Sequence, residues 1–132
     1  MSTRVLVVED DPQIRQLLVR VLELENLETT TAPNGVEGWR RLNESRFDLV
    51  ISDRLTPELD GRELARRARE RYGRAVKFIL LSSRTDVPRP GAGPVGVDAF
   101  LPKSFAVREL IHITRDLLGL PPRSGTVGSA DY

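Results

Sequence analysis

Short apolar runs that alternate with amphipathic helical patterns are the feature that most limits how this chain can fold. The first run, residues 4–8, is nearly all apolar and rich in β-branched side chains, which is typical of a strand in a parallel sheet covered on both faces. Asp11 and Pro12 follow almost at once. They predict a helix start, because aspartate accepts hydrogen bonds from free amides at the N-cap and proline fits the first helical position.

The same alternation continues to residue 118. Strands are predicted at 27–32, 48–53, 75–81 and 98–101, and helices at 12–22, 36–43, 62–72 and 106–118. Strands that alternate with helices in this way predict an α/β fold built on an open, doubly wound parallel sheet of five strands. Ligands of such sheets bind in the crevice beyond the carboxyl ends of the strands, so that edge is where we look for chemistry.

Two segments interrupt or follow this pattern. Residues 87–97 contain three prolines and three glycines, and because a proline costs about 3 kcal/mol inside a helix, we predict that the helix expected there is missing or degraded. Residues 119–132 contain two prolines, three glycines and small polar side chains. They are predicted to be a C-terminal tail or linker after a domain at 1–118.

The composition excludes several classes of function. The formal net charge is +1, so no overall field attracts nucleic acid or an anionic membrane, and we predict neither as a partner. The chain has no cysteine and a single histidine, His112, which excludes disulfide scaffolds and Cys/His zinc sites. Neither a signal-peptide pattern nor a long apolar run is present, and we therefore expect a soluble, cytoplasmic protein.

A cluster of arginines between residues 62 and 74 offers a nucleic-acid interpretation and a simpler one. Glu63 and Arg67, Arg66 and Glu70, and Glu70 and Arg74 each stand four residues apart. Opposite charges at that spacing pair on a helix surface, so we predict a solvated, salt-bridged face.

Polar side chains follow the predicted strands at the edge where the strand ends converge. Glu9 and Asp10 follow the first strand, Asp53 ends the third, Ser82 follows the fourth and Lys103 follows the fifth. Three carboxylates in one crevice repel one another unless a divalent cation neutralises them, and Mg²⁺ is the cation that prefers such oxygen ligands. With a lysine and a hydroxyl nearby, the set suits phosphoryl transfer onto a carboxylate.

These residues resemble the receiver domain of two-component response regulators, over about residues 4–118. The matching motifs are Val-Val-Glu-Asp-Asp-Pro at 7–12, Asp53 with Pro57 and Gly61 after it, Ser82, Phe100 and Lys103. Five motifs in order at the expected spacing are far more specific than any one of them. The resemblance implies a flavodoxin-like sheet with strand order 2-1-3-4-5.

The resemblance also implies a role for each site residue. Asp53 would accept a phosphoryl group from a histidine kinase or a histidine phosphotransfer protein. Asp10 and Asp53 would bind Mg²⁺ directly, Glu9 would hold it through water, and the backbone carbonyl of Leu55 would supply a further ligand. Lys103 would pair with the phosphoryl oxygens, and Ser82 would move toward them. Phe100 would rotate inward with that movement.

Besides Ser82, which stands where threonine is usual, the chain departs from the family in three places. Ser104 stands where proline usually follows the lysine through a cis bond, and because a cis bond without proline costs about 2.5–4 kcal/mol, we predict a trans Lys103–Ser104 bond. Thr56 replaces a bulky apolar residue. The third departure is the segment 87–97, which we interpret as an adapted protein-binding surface.

What covers the sheet beside the segment 87–97 stays open at this point. Val87, Val95 and Val97 could fold back over it, the tail around Leu120 could reach it, or a second copy of the chain could dock there as a homodimer.

Three functions are carried forward. The first is a phosphorylated signalling switch whose output is protein–protein contact and which is an enzyme only in the sense that it catalyses its own phosphorylation and hydrolysis. The second is a phosphorylation-independent interaction module that keeps the fold and has lost the switch. The third is a Mg²⁺-dependent phosphatase acting through Asp53, which is weaker because no second acid follows two residues later to donate a proton.

Overall fold

Five parallel strands and four helices make up the part of the chain that the computed structural model describes, residues 2–56, 58–82 and 95–121. In chain order, strands β1 to β5 are Arg4–Val8, Glu28–Ala32, Leu49–Asp53, Lys77–Ser82 and Ala99–Pro102, and helices α1 to α4 are Pro12–Leu24, Gly35–Glu44, Gly61–Tyr72 and Val107–Leu117. The strand order is β2-β1-β3-β4-β5, and every neighbouring pair is parallel. The predicted fold class and strand order are confirmed.

Each face of the sheet carries its own apolar core, because successive side chains of a strand point to opposite sides. On one side Val5, Val7 and Ile51 pack with side chains of α1 and α4. On the other side Leu6 and Val50 pack with side chains of α2 and α3. All of β1 after its first residue is fully buried, as expected for a strand covered on both faces.

Side-chain caps fix where the first three helices begin. Asp11 Oδ1 accepts from the amides of Gln13 and Ile14, at 2.9 and 3.4 Å, with Pro12 at the first helical position, so the predicted start of α1 is confirmed. Asn34 and Asp60 cap α2 and α3 in the same way. These caps fix the three loops that connect the strand ends to the helices.

Strands β2 to β5 each differ from the prediction by one or two residues at one end or both. Strand β2 begins at 28 rather than 27, β4 ends at 82 rather than 81, and β5 covers 99–102 rather than 98–101. Strand β3 begins at Leu49 rather than at 48, although the Asp48 amide donates to the Arg4 carbonyl at 2.8 Å and the Asp48 side chain accepts from the Arg4 amide at 2.9 Å. Strand β4 begins at Lys77 rather than at 75, because residues Gly73–Ala75 form a 3₁₀ turn. Gly73 itself has a φ of +63°, and this ends α3.

The arginine-rich face of α3 is salt-bridged, as predicted. Arg66 contacts Glu63 at 2.6 Å and Glu70 at 2.7 Å, and Arg67 contacts Glu63 at 3.1 Å. Hydrogen bonds from these two arginines lower the pKa of Glu63 to about 2. The predicted pair of Glu70 with Arg74 was wrong, since Arg74 lies in the 3₁₀ turn after α3 and not on its surface.

The chain re-enters the sheet at β5 through a turn held on α3. Gly96 has a φ of +90° and packs so close to α3 that a Cβ there would lie 2.2 Å from the Ala65 carbonyl oxygen. The Asp98 side chain accepts from the Phe78 amide at 2.8 Å and from Arg69 at 3.1 Å.

Only the end of the segment 87–97 can be compared with its prediction. Residues 87–94 lie outside the described residues, and 95–97 form a turn and loop rather than a helix. Val97 packs against the α2/α3 core, whereas Val95 is 65% exposed. Of the three valines considered as a cover, Val97 therefore contributes, Val95 does not, and Val87 lies outside the described part.

The end of α4 turns back onto the other face of the sheet. The Leu120 amide donates to the Arg115 carbonyl at 2.9 Å after Gly119, which has a φ of +69°. Leu120 packs against the core that α1 and α4 share. It does not reach the α2/α3 side, where Val97 lies, so the interpretation in which Leu120 covers that side was wrong.

Candidate functional site

Four strand ends bring the predicted site residues to one edge of the sheet. Val8 is paired with Ser52, Asp53 with Leu81, and Ser82 with Pro102, so the residues at or just after these ends are neighbours. One carboxylate oxygen each from Glu9, Asp10 and Asp53 lie within 4.8 Å of one another. The predicted convergence of the acids is confirmed, and we call these three residues together with Lys103 the acidic pocket.

Asp53 is a nearly buried carboxylate with a partner on each of its two oxygens. Its side chain is 4% exposed, and its Oδ2 accepts from Lys103 Nζ at 2.7 Å. Its Oδ1 accepts from the backbone amide of Leu55 at 3.2 Å. Both contacts hold the carboxylate at the end of the central strand, with the amine on one oxygen and the loop to α3 on the other.

Lys103 balances the charge of the pocket. Its Nζ also lies 3.7 Å from Glu9 Oε2, and its side chain is 36% exposed, so the amine reaches inward from the surface. Burial lowers the pKa of Lys103, but hydrogen bonding to Asp53 and the charges of Asp53, Glu9 and Asp10 outweigh burial and raise that pKa above its usual value. The amine is therefore a fixed positive charge.

Glu9 is fully buried although it is an acid. Its Oε2 accepts from the Asp11 amide at 3.1 Å, and its Oε1 is buried without a hydrogen-bond partner among the described residues. Burial, together with the charge of Asp53, raises the pKa of Glu9 to about 7, although the Asp11 amide and Lys103 act in the opposite direction. The pocket thus holds one carboxyl group whose charge is only partly offset by the groups that the structure describes around it.

Arg15 is a residue of this region that the sequence analysis missed. From the first turns of α1 its Nη1 donates to the backbone carbonyl of Glu9 at 3.0 Å. The amide of Glu9 in turn donates to the Ala32 carbonyl at 3.1 Å. Both the amide and the carbonyl of Glu9 are therefore hydrogen-bonded. The sequence pattern that could have indicated the Arg15 contact is an arginine four residues after the N-cap Asp11.

Ser82 and Phe100 lie where the sequence predicted them, at β4 and β5. Ser82 is 2% exposed, and its Oγ has no hydrogen-bond partner among the described residues. The Lys103 amide donates to the Ser82 carbonyl at 2.9 Å, so the serine and the lysine are linked through their backbones. Phe100 is half-buried and packs against the α2/α3 core.

The peptide bond after Lys103, where Ser104 replaces the usual proline, is trans as predicted. No peptide bond among the described residues is cis, so the bond between Lys103 and Ser104 is trans. The amine of Lys103 nevertheless reaches Asp53, so the serine at 104 does not prevent the contact that the site needs.

The donor set fits a hard divalent cation. Three carboxylates approach one another, and one of them keeps a buried oxygen that no described residue hydrogen-bonds. Oxygen ligands of this kind are those that Mg²⁺ prefers. The loop after Asp53 carries the further predicted ligand, the carbonyl of Leu55, and the side chain of Leu55 is 64% exposed. Pro57 of the same motif lies outside the described residues.

No described helix is both long enough and apolar enough to cross a membrane.

The fold and the pocket define a doubly wound α/β domain with an acidic site at the carboxyl edge of its sheet. The chain belongs to the response regulator receiver domain family, whose model matches residues 5–115. It is therefore a domain of two-component signal transduction and not a conventional enzyme.

Curated relatives agree with this membership. The response regulator MprA of Mycobacterium ulcerans is 37% identical over 119 residues, which make up 89% of this chain and 51% of that protein. MprA of Mycobacterium tuberculosis has the same identity over the same length. The chain thus spans about half the length of the curated relatives it matches, 51%.

Solved structures agree as well. The receiver domain of Francisella response regulator 1452 has a TM-score of 0.80 at 29% identity, covering 89% of this chain and 98% of that one. Response regulator TrrA of Thermotoga maritima, in complex with Mg²⁺-BeF, has a TM-score of 0.75 at 34% identity, covering 87% and 98%. A receiver domain of a Pseudomonas aeruginosa sensor histidine kinase, with magnesium in its active-site cleft, has a TM-score of 0.77 at 26% identity, covering 90% and 99%.

Proposed function

We propose that the protein is a phosphoryl-accepting signalling switch and that Asp53 is the acceptor. The observation that carries this proposal is the 2.7 Å contact of the Asp53 carboxylate with Lys103 inside a cluster of three acids. A carboxylate fixed at the end of the central strand is oriented for in-line attack, which is most of what phosphoryl transfer requires of a protein.

The remaining residues take complementary roles in the proposed reaction. An oxygen of Asp53 forms a bond to phosphorus as the bond between phosphorus and the donor histidine nitrogen breaks. Lys103 pairs with the phosphoryl oxygens, because an ammonium group is a compact positive charge. The Ser82 hydroxyl, which is buried without a partner among the described residues, donates to one of those oxygens. Phe100 changes its packing as Ser82 moves.

The proposed cofactor is Mg²⁺, held by Asp10, Asp53 and the Leu55 carbonyl directly and by Glu9 through water. When bound, the cation neutralises the carboxylates and the transferred phosphoryl group. Two similar solved structures that contain magnesium, TrrA and the sensor kinase receiver domain, support this assignment.

The proposed partners follow from family membership. A histidine kinase or a histidine phosphotransfer protein supplies the phosphoryl group, and we propose that the protein acts in the cytoplasm. The downstream partner is a protein, with the segment 87–97 as the proposed contact surface and a homodimer as a further form. We propose that residues 1–118 form the receiver domain and that residues 119–132 are a tail or linker.

The test is phosphorylation by a small acyl phosphate with Mg²⁺, followed by intact mass spectrometry. Wild type is expected to gain one phosphoryl group, while Asp53→Asn and wild type with a chelator gain none. Asparagine keeps the size of the side chain, so a folded Asp53→Asn variant isolates the carboxylate. A phosphoryl group that still appears on Asp53→Asn would contradict Asp53 as the acceptor, and turnover of varied phosphate esters would favour the phosphatase.

The second candidate is a phosphorylation-independent interaction module. One observation favours it, namely that Ser104 stands in place of the proline usual after the lysine. In that case wild type with Mg²⁺ gains no phosphoryl group in the same experiment, although it remains folded.

A further inference from the structure

The loop between β3 and α3 is held by a side chain at which this chain departs from its family. Thr56 stands where a bulky apolar residue is usual, and it is only 8% exposed. Its hydroxyl donates to the backbone carbonyl of Leu59, which closes the loop on itself one residue after Leu55. The polar side chain at 56 thus has a defined partner despite its burial.

The acceptor of this hydrogen bond is itself fixed against α2. Leu59 is 7% exposed and belongs to the α2/α3 core. A Cβ on Gly35, the first residue of α2, would lie 2.0 Å from the Leu59 carbonyl oxygen. The Leu59 carbonyl therefore packs against the start of α2, where any side chain larger than that of Gly35 would collide with it. Through its hydrogen bond to this carbonyl, Thr56 is linked to α2.

Two further contacts connect the loop and the start of α3 to β3 and the residue after it. The Leu55 amide donates to Asp53 Oδ1 at 3.2 Å, and the Gly61 amide donates to the Arg54 carbonyl at 2.9 Å. Glu58 has a φ of +70°, a left-handed conformation that costs a non-glycine residue about 1 kcal/mol or more. The Thr56 hydroxyl, on the residue directly after Leu55, is one of the side-chain contacts that hold the described part of the loop in place despite this cost, and Asp53 Oδ1 is another.

We propose that Thr56 is a positioning residue for the cation, which holds the loop so that the Leu55 carbonyl faces the acidic pocket before Mg²⁺ arrives. This inference rests on the proposed function, which assigns the Leu55 carbonyl as a ligand. A loop that is ordered in advance loses less conformational entropy on binding. Without the hydroxyl, Mg²⁺ binding must itself order the loop, and the affinity falls.

A purely structural role of Thr56 makes a different prediction. In that case, removing the Thr56 hydroxyl lowers the free energy of unfolding by the same amount with and without Mg²⁺. The affinity of the folded protein for Mg²⁺ then stays unchanged. The dissociation constant for Mg²⁺, measured on folded protein, therefore separates the two roles.

The experiment is isothermal titration of Mg²⁺ into wild type, Thr56→Val and Thr56→Ser. Thr56→Val keeps the shape and removes the hydroxyl, and it is expected to raise the dissociation constant about fivefold, the effect of losing one hydrogen bond of ordinary net strength. Thr56→Ser keeps the hydroxyl and is expected to stay within about twofold of wild type.

Thr114→Val is the matched control. Thr114 is also a buried threonine, 1% exposed, but it lies on α4 at the other face of the sheet, and its substitution is expected to leave Mg²⁺ binding unchanged. Urea unfolding with a chelator establishes that each variant is folded. If Thr56→Val does not fold, Thr56→Ala takes its place against Thr56→Ser.

A second measurement follows phosphorylation by the acyl phosphate as Mg²⁺ is raised. Thr56→Val is expected to need more Mg²⁺ for half of its maximal rate and to reach the wild-type maximum. The inference would be overturned if Thr56→Val bound Mg²⁺ as tightly as wild type. It would also be overturned if Thr56→Ser lost as much Mg²⁺ affinity as Thr56→Val. Neither result would contradict the proposal that Asp53 is phosphorylated. If wild type itself binds no Mg²⁺, the proposed function and this inference fail together.

Discussion

Replacing Glu9 by glutamine is expected to stabilise the metal-free protein at neutral and alkaline pH. Glu9 is fully buried, and burial is the main reason that its pKa rises from 4.5 to about 7. In the unfolded chain the carboxyl group has its usual pKa. Between these two values the folded protein keeps a proton that the unfolded chain loses, so raising the pH favours unfolding. Above about pH 7 both states are ionised, and the full cost remains.

The magnitude follows from the two pKa values. Because each pH unit between them is worth about 1.4 kcal/mol, the move from 4.5 to about 7 amounts to about 3 kcal/mol. Glutamine is neutral at every pH and can still accept from the Asp11 amide. Glu9→Gln should therefore be more stable than wild type by about 3 kcal/mol near pH 8, and the difference should vanish near pH 4.

Urea unfolding in the presence of a chelator, repeated across this pH range, measures the difference. Glu23→Gln is the control, since it removes the same charge from an exposed position of α1 and should give a small difference. Added Mg²⁺ should reverse the order and make wild type the more stable protein. A Glu9→Gln advantage that does not change with pH, or a less stable Glu9→Gln at high pH, would refute burial as the source of the shift.

Three further substitutions test packing and hydrogen bonds elsewhere in the fold and at the backbone of β3, all by urea unfolding. Thr114→Val should stabilise by about 1 kcal/mol, since it removes a buried hydroxyl with no partner among the described residues; a destabilised variant would reveal a partner. Gly61→Ala should destabilise by about 3 kcal/mol, because its Cβ would lie 2.4 Å from the Asp53 carbonyl oxygen; unchanged stability would mean that the chain can shift there. Asp98→Ala should cost about 2 kcal/mol by removing the acceptor of the Phe78 amide, and a neutral effect would exclude that role.

The placement of the acids and the lysine could be predicted because it follows from topology. Parallel strands end at one edge of the sheet, so residues that come directly after several strands must meet there. Glu9, Asp53 and Lys103 are such residues, and the structure brings them together. The helix starts were predictable for a similar reason, because Asp11 and Pro12 act on their own local backbone.

Other features depend on tertiary contacts that no local pattern encodes. The raised pKa of Glu9 needs complete burial, and a sequence shows only that an acid follows a strand. The Arg15 contact with the Glu9 carbonyl and the packing of Leu120 on the α1/α4 side depend on how helices lie against the sheet. Arg74 was assigned to a helix face that ends two residues earlier, since helix ends are the least certain part of a sequence pattern.

The central claim is that Glu9, Asp10, Asp53 and Lys103 form one site for a cation and a phosphoryl group. A crystal structure of the protein with Mg²⁺ and beryllium fluoride tests it most directly. We expect the fluoride group on Asp53, the cation between the acids and the Leu55 carbonyl, and the hydroxyl of Ser82 turned toward the fluoride. A structure grown at saturating concentrations of both, with neither bound and Lys103 still paired to Asp53, would contradict the claim.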